Sequence, residues 1–323
     1  MSSAPSVYEI ARDATWLAHA LDPSAGMVRL VAMNRTSYRA ASFLDDRLLQ
    51  EPVDAQIAPW PEVEAAMADD LRSDARWIFH IGHVGSTLVS RLLGEIEGVL
   101  SVREPRLLRD LALSSPQARG QYIPSVVKLM SRTYGAGEVA CIKATSYVSE
   151  IASILVPQGE RVLFVYASSR NFVASILAGE NSRKELHALA AYRRKRLATR
   201  GITLPDARND ADLAASAWAC EMTSLEAAAE AMQDRYISWV DFDSMLTDTS
   251  AGLIGIADFF GFQADAAQLQ AIAAGPLMQR YSKALEYEYS PALRNELIAQ
   301  EIRLGGSEID AALAMLHRNS EKS

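Results

Sequence analysis

The chain is poor in everything that would place it among small or specialised scaffolds. It has two cysteines, Cys141 and Cys220, and neither sits in a Cys-x-x-Cys. That spacing excludes a disulfide framework and a cysteine-rich zinc site, and leaves each thiol as a small buried hydrophobe in a reducing cytoplasm. No apolar run approaches the roughly eighteen residues that a spanning helix requires. The N-terminal Met-Ser-Ser-Ala-Pro-Ser lacks a basic region followed by an apolar stretch, so no secretory signal is expected. Positive charge is also short: 32 Lys and Arg stand against 40 Asp and Glu, a formal net charge of -8. A general nucleic-acid binder carries the opposite balance.

What is present is ordinary for a folded protein: 49% apolar and 22% charged residues over 323 positions. At roughly 150 residues per domain, that length allows one large unit or two small ones. There is no internal repeat. Residues 1–75 read as an N-terminal extension. Ile10, Trp16, Leu17 and Leu21 give 8–21 a helical spacing, 27–33 and 38–44 suit short strands, and Pro61 opens a short helix. Residues 76–323 read differently. Compact apolar runs at 77–81, 139–143, 161–166 and 236–241 alternate with helical patterns, the last ending at Gly261. Short buried strands alternating with helices predict α/β architecture, a parallel sheet covered on both faces.

The strongest local signal is His80-Ile-Gly-His-Val-Gly-Ser-Thr-Leu-Val-Ser-Arg91, between a predicted strand and a predicted helix. Glycines permit close backbone approach, hydroxyls can donate, and the free N–H groups of a helix start suit a phosphate or sulfate. A Walker loop would carry Lys before its Ser or Thr; none stands before Ser86, and the loop is one residue shorter. His80 and His83 lack further ligands at a convincing spacing, so no metal is expected. Asp241 and Asp243, after the fourth run, read as strand-end caps. The basic stretch Tyr192-Arg-Arg-Lys-Arg196 with Arg200 reads as a solvated helix face.

Gly82-His-Val-Gly-Ser-Thr-Leu88 resembles the phosphosulfate-binding loop of P-loop sulfotransferases, which usually reads Lys/Arg-Ser-Gly-Thr-Thr. The resemblance continues in order through Arg103-Glu104-Pro105, Ile142-Lys143-Ala-Thr-Ser-Tyr147, Tyr166-Ala-Ser-Ser-Arg170 to Ser175, Trp239-Val-Asp-Phe-Asp-Ser244 and Asp258-Phe-Phe-Gly261, over roughly 76–265. It implies a three-layer P-loop-type α/β domain over 76–323. It also implies sulfuryl transfer from 3'-phosphoadenosine 5'-phosphosulfate (PAPS) to a hydroxyl of a small-molecule or carbohydrate acceptor, without a metal. By the same resemblance Gly82, His83, Val84, Gly85, Ser86, Thr87 and Leu88 cradle the phosphosulfate, with Arg91 nearby. Glu104 is the general base, and Lys143 and His83 stabilise developing charge. Arg170 and Ser175 approach the 3'-phosphate. The chain departs from the pattern at His83, where the family has Lys or Arg, and at Ala167, where it has Arg. Arg280, Tyr281, Ser282 and Lys283 stand in the region of the family's late basic loop. Two other readings remain open: a non-catalytic nucleotide-binding or interaction protein on the same fold, and a P-loop phosphotransferase.

Overall fold

The computed structural model describes residues 5–68, 71–280 and 290–320. Helix α1 (Val7–Arg12) is closed in front by a Ser6–Glu9 capping box. It stops after two turns because Asp13 turns back to accept the Thr15 N–H at 2.8 Å. The helix expected over 8–21 therefore ends early, and Trp16–Asp22 becomes strand β1. It pairs antiparallel with β2 (Met27–Ala32), as expected from 27–33. The strand expected at 38–44 is instead a helix, α2 (Arg35–Ala40), because Asn34 caps it by accepting the Ser37 N–H at 2.8 Å. Strand β3 (Ala55–Pro59) completes the small sheet, and α3 (Trp60–Ala65) follows with Pro61 in its first turn.

The main sheet has five parallel strands: β4 (Arg76–His80), β5 (Val99–Arg103), β6 (Val139–Lys143), β7 (Arg161–Tyr166) and β8 (Tyr236–Asp241). Their order is β5-β6-β4-β7-β8. Sequence periodicity predicted four of them and missed β5. The flanking helices are α4 (Ser86–Leu93), α5 (Arg106–Leu113), α6 (Pro116–Ser131), α7 (Ala152–Leu155), α8 (Ser169–Leu177), α9 (Glu180–Thr199), α10 (Asp210–Ala231), α11 (Phe242–Thr247), α12 (Thr249–Phe260), α13 (Ala266–Ala273) and α14 (Pro291–Ser320). This is the three-layer α/β architecture expected, with the antiparallel N-terminal sheet added. One buried apolar cluster runs from Ile10 to Met315, and α5 packs on β1.

The strand order decides where a ligand can bind. The chain leaves β4 for the β5 edge, returns to β6 beside β4, then crosses to β7 on the other side. Where the connections part, the carboxyl ends of β4 and β6 leave a crevice that helices cannot fill. The loop 81–85, Glu104 and the turn after Lys143 all lie at that end.

Candidate functional site

The loop is built on positive φ. Gly82, His83 and Gly85 have φ of 78°, 51° and 66°. At Gly85 a Cβ would fall inside the ring of Phe242, which packs under the loop, so both conformation and space require glycine. Gly85 is also the N-cap of α4 and offers no side chain to its first N–H groups. Ser86 and Thr87 are buried behind it, and Thr87 Oγ1 has no hydrogen-bond partner among the described residues. The helix start thus presents uncapped donors with a hydroxyl beside them, the arrangement that suits an anion.

Beside the loop sits a buried ion pair. Glu104, just past β5, has φ 53°, a strained value for a residue with a Cβ. Its N–H donates to Lys143 O at 2.7 Å, tying it to the end of β6. Its carboxylate Oε1 accepts from Lys143 Nζ; Lys143 is 1% exposed and the Glu104 side chain 11%. His80 Nε2 stands 3.8 Å from the same oxygen. His80 Nδ1 accepts the Gly82 N–H at 2.9 Å, so this histidine touches loop and carboxylate together.

The opposite wall comes from the N-terminal segment. Phe43 carries the Arg47 guanidinium 3.3 Å above its ring centroid, with Lys143 Nζ at 5.7 Å. Arg47 Nη2 lies 3.9 Å from Glu104 Oε2. Residues 41–47 form a strap held by buried arginines. Arg103 donates to the carbonyls of Tyr38, Arg39 and Ala41 and to Ser101 Oγ. Arg91 donates to Ala40 O at 3.0 Å and Ser42 Oγ at 2.7 Å. Both thus hold the carbonyl end of α2, where a cation is favoured. Burial pulls the Arg103 pKa down to about 9, which still leaves it charged at neutral pH. Backbone bonds finish the strap: Leu44 N–H to Arg103 O at 2.7 Å and Arg106 N–H to Leu44 O at 3.3 Å.

The loop 82–87, His80, Glu104, Lys143, Phe43 and Arg47 line one open cleft of about 470 Å³, together with Arg106, Arg109, Thr145, Ser146, Tyr147 and Tyr192. Tyr147 and Tyr192 meet edge to face at 5.9 Å, and burial pushes the Tyr147 hydroxyl pKa up. Two larger cavities, about 740 and 750 Å³, lie beside Arg91 and between α9 and α10. Neither contains the loop 82–85 or the carboxyl end of β4 or β6, so the smaller cleft is the chemical one.

Of the residues singled out from sequence, Gly82 to Thr87, Glu104 and Lys143 come together in this cleft. Leu88 is buried behind them in α4. Arg91 is turned to the strap, away from the loop mouth, because the α2 carbonyls engage its guanidinium. His83 lines the cleft but faces α9: its Nδ1 is 3.3 Å from Ser182 Oγ and its Nε2 is 3.5 Å from Glu185 Oε1. Arg170 lies outside the cleft, ion-paired with Asp310 of α14, and Ser175 Oγ donates to Phe172 O at 2.8 Å. Tyr281, Ser282 and Lys283 lie outside the described residues; Arg280 is described and exposed. Asp241 caps α11, as expected, and Asp243 pairs with Arg294.

The basic stretch 192–196 is not a solvated helix face. Arg193 and Arg196 are buried, with Arg196 bridging Glu150 at 2.7 Å and Glu221 at 2.8 Å, because their carboxylate partners lie on other elements. Cys141 and Cys220 are buried as expected, their thiol pKa values pushed up to about 12 and about 11 by burial. Phe43, Arg47, His80, Tyr147 and Tyr192 were not foreseen as site residues. For His80 the available signal was its place at the end of the strand that feeds the loop. Among the described residues, no group of three or more His, Cys, Asp or Glu is placed to hold a metal ion. No helix among them is long and apolar enough to cross a membrane.

No family model and no curated protein matches the chain. Solved structures do. A sulfotransferase domain from the curacin biosynthetic pathway aligns with 68% of this chain and 85% of its own, at 12% identity and a TM-score of 0.42. A sulfotransferase domain from a Synechococcus olefin synthase aligns with 72% and 90%, at 15% identity and 0.41. A mouse sulfotransferase in complex with PAP aligns with 64% and 65%, at 11% identity and 0.34.

Proposed function

We propose that the protein is a sulfotransferase that moves a sulfuryl group from PAPS to the hydroxyl of a small-molecule or carbohydrate acceptor. The observation that carries this reading is the buried, strained Glu104–Lys143 pair in the same cleft as an uncapped, glycine-bent helix start. An anion site alone would fit many nucleotides. An anion site beside a carboxylate fits a reaction in which a hydroxyl must lose its proton to attack an anionic donor.

The residues fit that donor at its phosphosulfate end. The N–H groups of 85–88 and the buried Thr87 hydroxyl would receive its oxygens, and Gly85 leaves the backbone bare for close approach. PAPS supplies the activated sulfuryl group. Glu104 takes the proton of the acceptor hydroxyl, whose oxygen forms the new S–O bond. The S–O bond to the phosphate breaks, and its electron pair leaves with PAP. Lys143, already at Glu104 and itself lining the cleft, offsets negative charge as it gathers. His83, which lines the cleft and stands where the resembled family has Lys or Arg, would turn from Ser182 and Glu185 to donate a hydrogen bond to the departing oxygen. The strap, with Phe43 and Arg47, forms the wall opposite the loop, the side left for the acceptor.

A second reading is a non-catalytic nucleotide binder on the same framework. It is favoured by Arg170, which is committed to Asp310, and by Ala167 at the position where the resembled family places an arginine. Thermal unfolding with PAP, AMP, ADP and ATP–Mg separates the readings. A ligand at a hundred times its Kd stabilises by about 2.7 kcal/mol, an easily measured shift. A sulfotransferase responds to PAP above the others, and its Glu104→Gln variant keeps that response while PAPS turnover across an acceptor panel is lost. Turnover that survives Glu104→Gln removes the carboxylate from the mechanism. A response to ATP–Mg alone replaces sulfuryl by phosphoryl transfer.

A further inference from the structure

We infer that His80 is a positioning residue for Glu104, coupling the anion-binding loop to the base; the inference rests on the sulfotransferase reading above. His80 ends β4 and is 5% exposed. Its Nδ1 accepts the Gly82 N–H at 2.9 Å, so that nitrogen carries no proton. The neutral ring must then bear its proton on Nε2, the atom 3.8 Å from Glu104 Oε1. That separation exceeds a direct hydrogen bond, as contacts at unliganded sites often do before they tighten.

Lys143 holds the same Oε1, while Oε2 faces Arg47 across the cleft at 3.9 Å. The two carboxylate oxygens are thus distinguished. Lys143 bonds Oε1 with His80 Nε2 next nearest to it, and Oε2 is the oxygen left to meet the acceptor proton. When Lys143 engages the transferring group, the His80 N–H closes on Oε1, so the carboxylate does not swing. Because the other ring nitrogen is bonded to Gly82, loop position and base position are set by one rigid imidazole.

Two near-isosteric variants divide these functions. His80→Asn keeps an acceptor near the Nδ1 position and deletes the Nε2 donor. His80→Gln keeps a donor near Nε2 and loosens the loop. The expected result for His80→Asn is a PAP Kd within about threefold of wild type with kcat for PAPS turnover down tenfold or more. His80→Gln should invert this, with weaker PAP binding and the better kcat. A merely structural histidine would lower both together, in proportion to lost stability. Full kcat in His80→Asn overturns the inference.

The contact is also readable without turnover. In protein labelled with 15N at its five histidines, the signals lost in His80→Asn should show the Nε2–H tautomer at neutral pH. They should shift in Glu104→Gln. An Nδ1–H tautomer, or signals indifferent to Glu104→Gln, overturns the inference. Should wild-type protein neither bind PAP nor consume PAPS, the sulfotransferase reading fails, while the tautomer still decides the His80–Glu104 contact.

Discussion

Replacing Lys143 with Met strips the counter-ion from Glu104 while roughly preserving the volume of the buried stem. Removing one partner of a buried pair costs about 3–5 kcal/mol, because the other charge stays desolvated and uncompensated. Here the lower end applies. Glu104 keeps an 11% exposed side chain, with His80 and Arg47 3.8 and 3.9 Å away to offset part of the loss. The expected cost is therefore about 3 kcal/mol, with a similar figure for Glu104→Gln, which strands the Lys143 ammonium. The double variant removes both charges and should cost about 1 kcal/mol, far below the sum of the two. Urea unfolding at neutral pH reads this directly, as midpoint shifts at constant m. Additive single costs, or a Lys143→Met cost under about 1 kcal/mol, would refute the buried-pair account of the site.

Three further outcomes follow from the geometry. Gly85→Ala should cost about 1–2 kcal/mol for the left-handed backbone and about 1–3 kcal/mol for overlap with Phe242. Adding Phe242→Leu should recover only the second share in denaturant unfolding, and no recovery would mean the ring is not the obstacle. Arg103→Met should release the strap, raising amide hydrogen exchange across 38–44 by tenfold or more; unchanged protection would show that the strap holds without it. Glu150 provides a pH test. Burial raises its pKa, but the Ser224 hydroxyl and Arg196 outweigh burial and hold it below the ordinary carboxylate range. Its contribution is therefore full above the unfolded pKa, near 4.5, and is lost as pH falls through the lower folded value. The stability gap between wild type and Glu150→Gln in urea should narrow on acidification from pH 7 to pH 3; a widening gap would reverse the assigned sign.

The parts of this protein that were legible in its sequence are those whose causes are local. Apolar runs betrayed four of the five parallel strands, Gly261 marked the end of α12, and the glycine spacing at 82–85 marked the loop. Strand β5 escaped because Val99-Leu-Ser-Val-Arg is short and has only three apolar residues, and Arg103 is buried only because the distant α2 supplies its carbonyl partners. Arg193 and Arg196 looked solvated for the same reason: Glu221 and Glu150, their partners, lie on other elements. The helix expected over 8–21 failed at Asp13, where a two-residue side-chain turn overrode the apolar period. Asn34 and Ser37 were a visible cap signal that was outweighed by the apolar look of 38–44. In the cleft, Glu104 and Lys143 could be read, but Phe43 and Arg47 could not, since nothing local ties residue 44 to residue 103.

The way the first segment is fastened carries a cost in time. Its anchors come late in the chain: Leu21 waits for Asp110, 89 residues on, Trp16 for Arg132, and Pro23 for Tyr122. At about 5–20 residues per second, a ribosome needs roughly 4–18 s to deliver the first of these after Leu21 has emerged. Through that interval the small antiparallel sheet has Leu17, Val28, Leu30 and Val31 to bury and little to bury them against. The segment that carries the wall of the cleft is thus the earliest part made yet cannot be seated until residues 103–132 have followed, and nascent chains stalled between residues 60 and 110 should be the forms most in need of a chaperone.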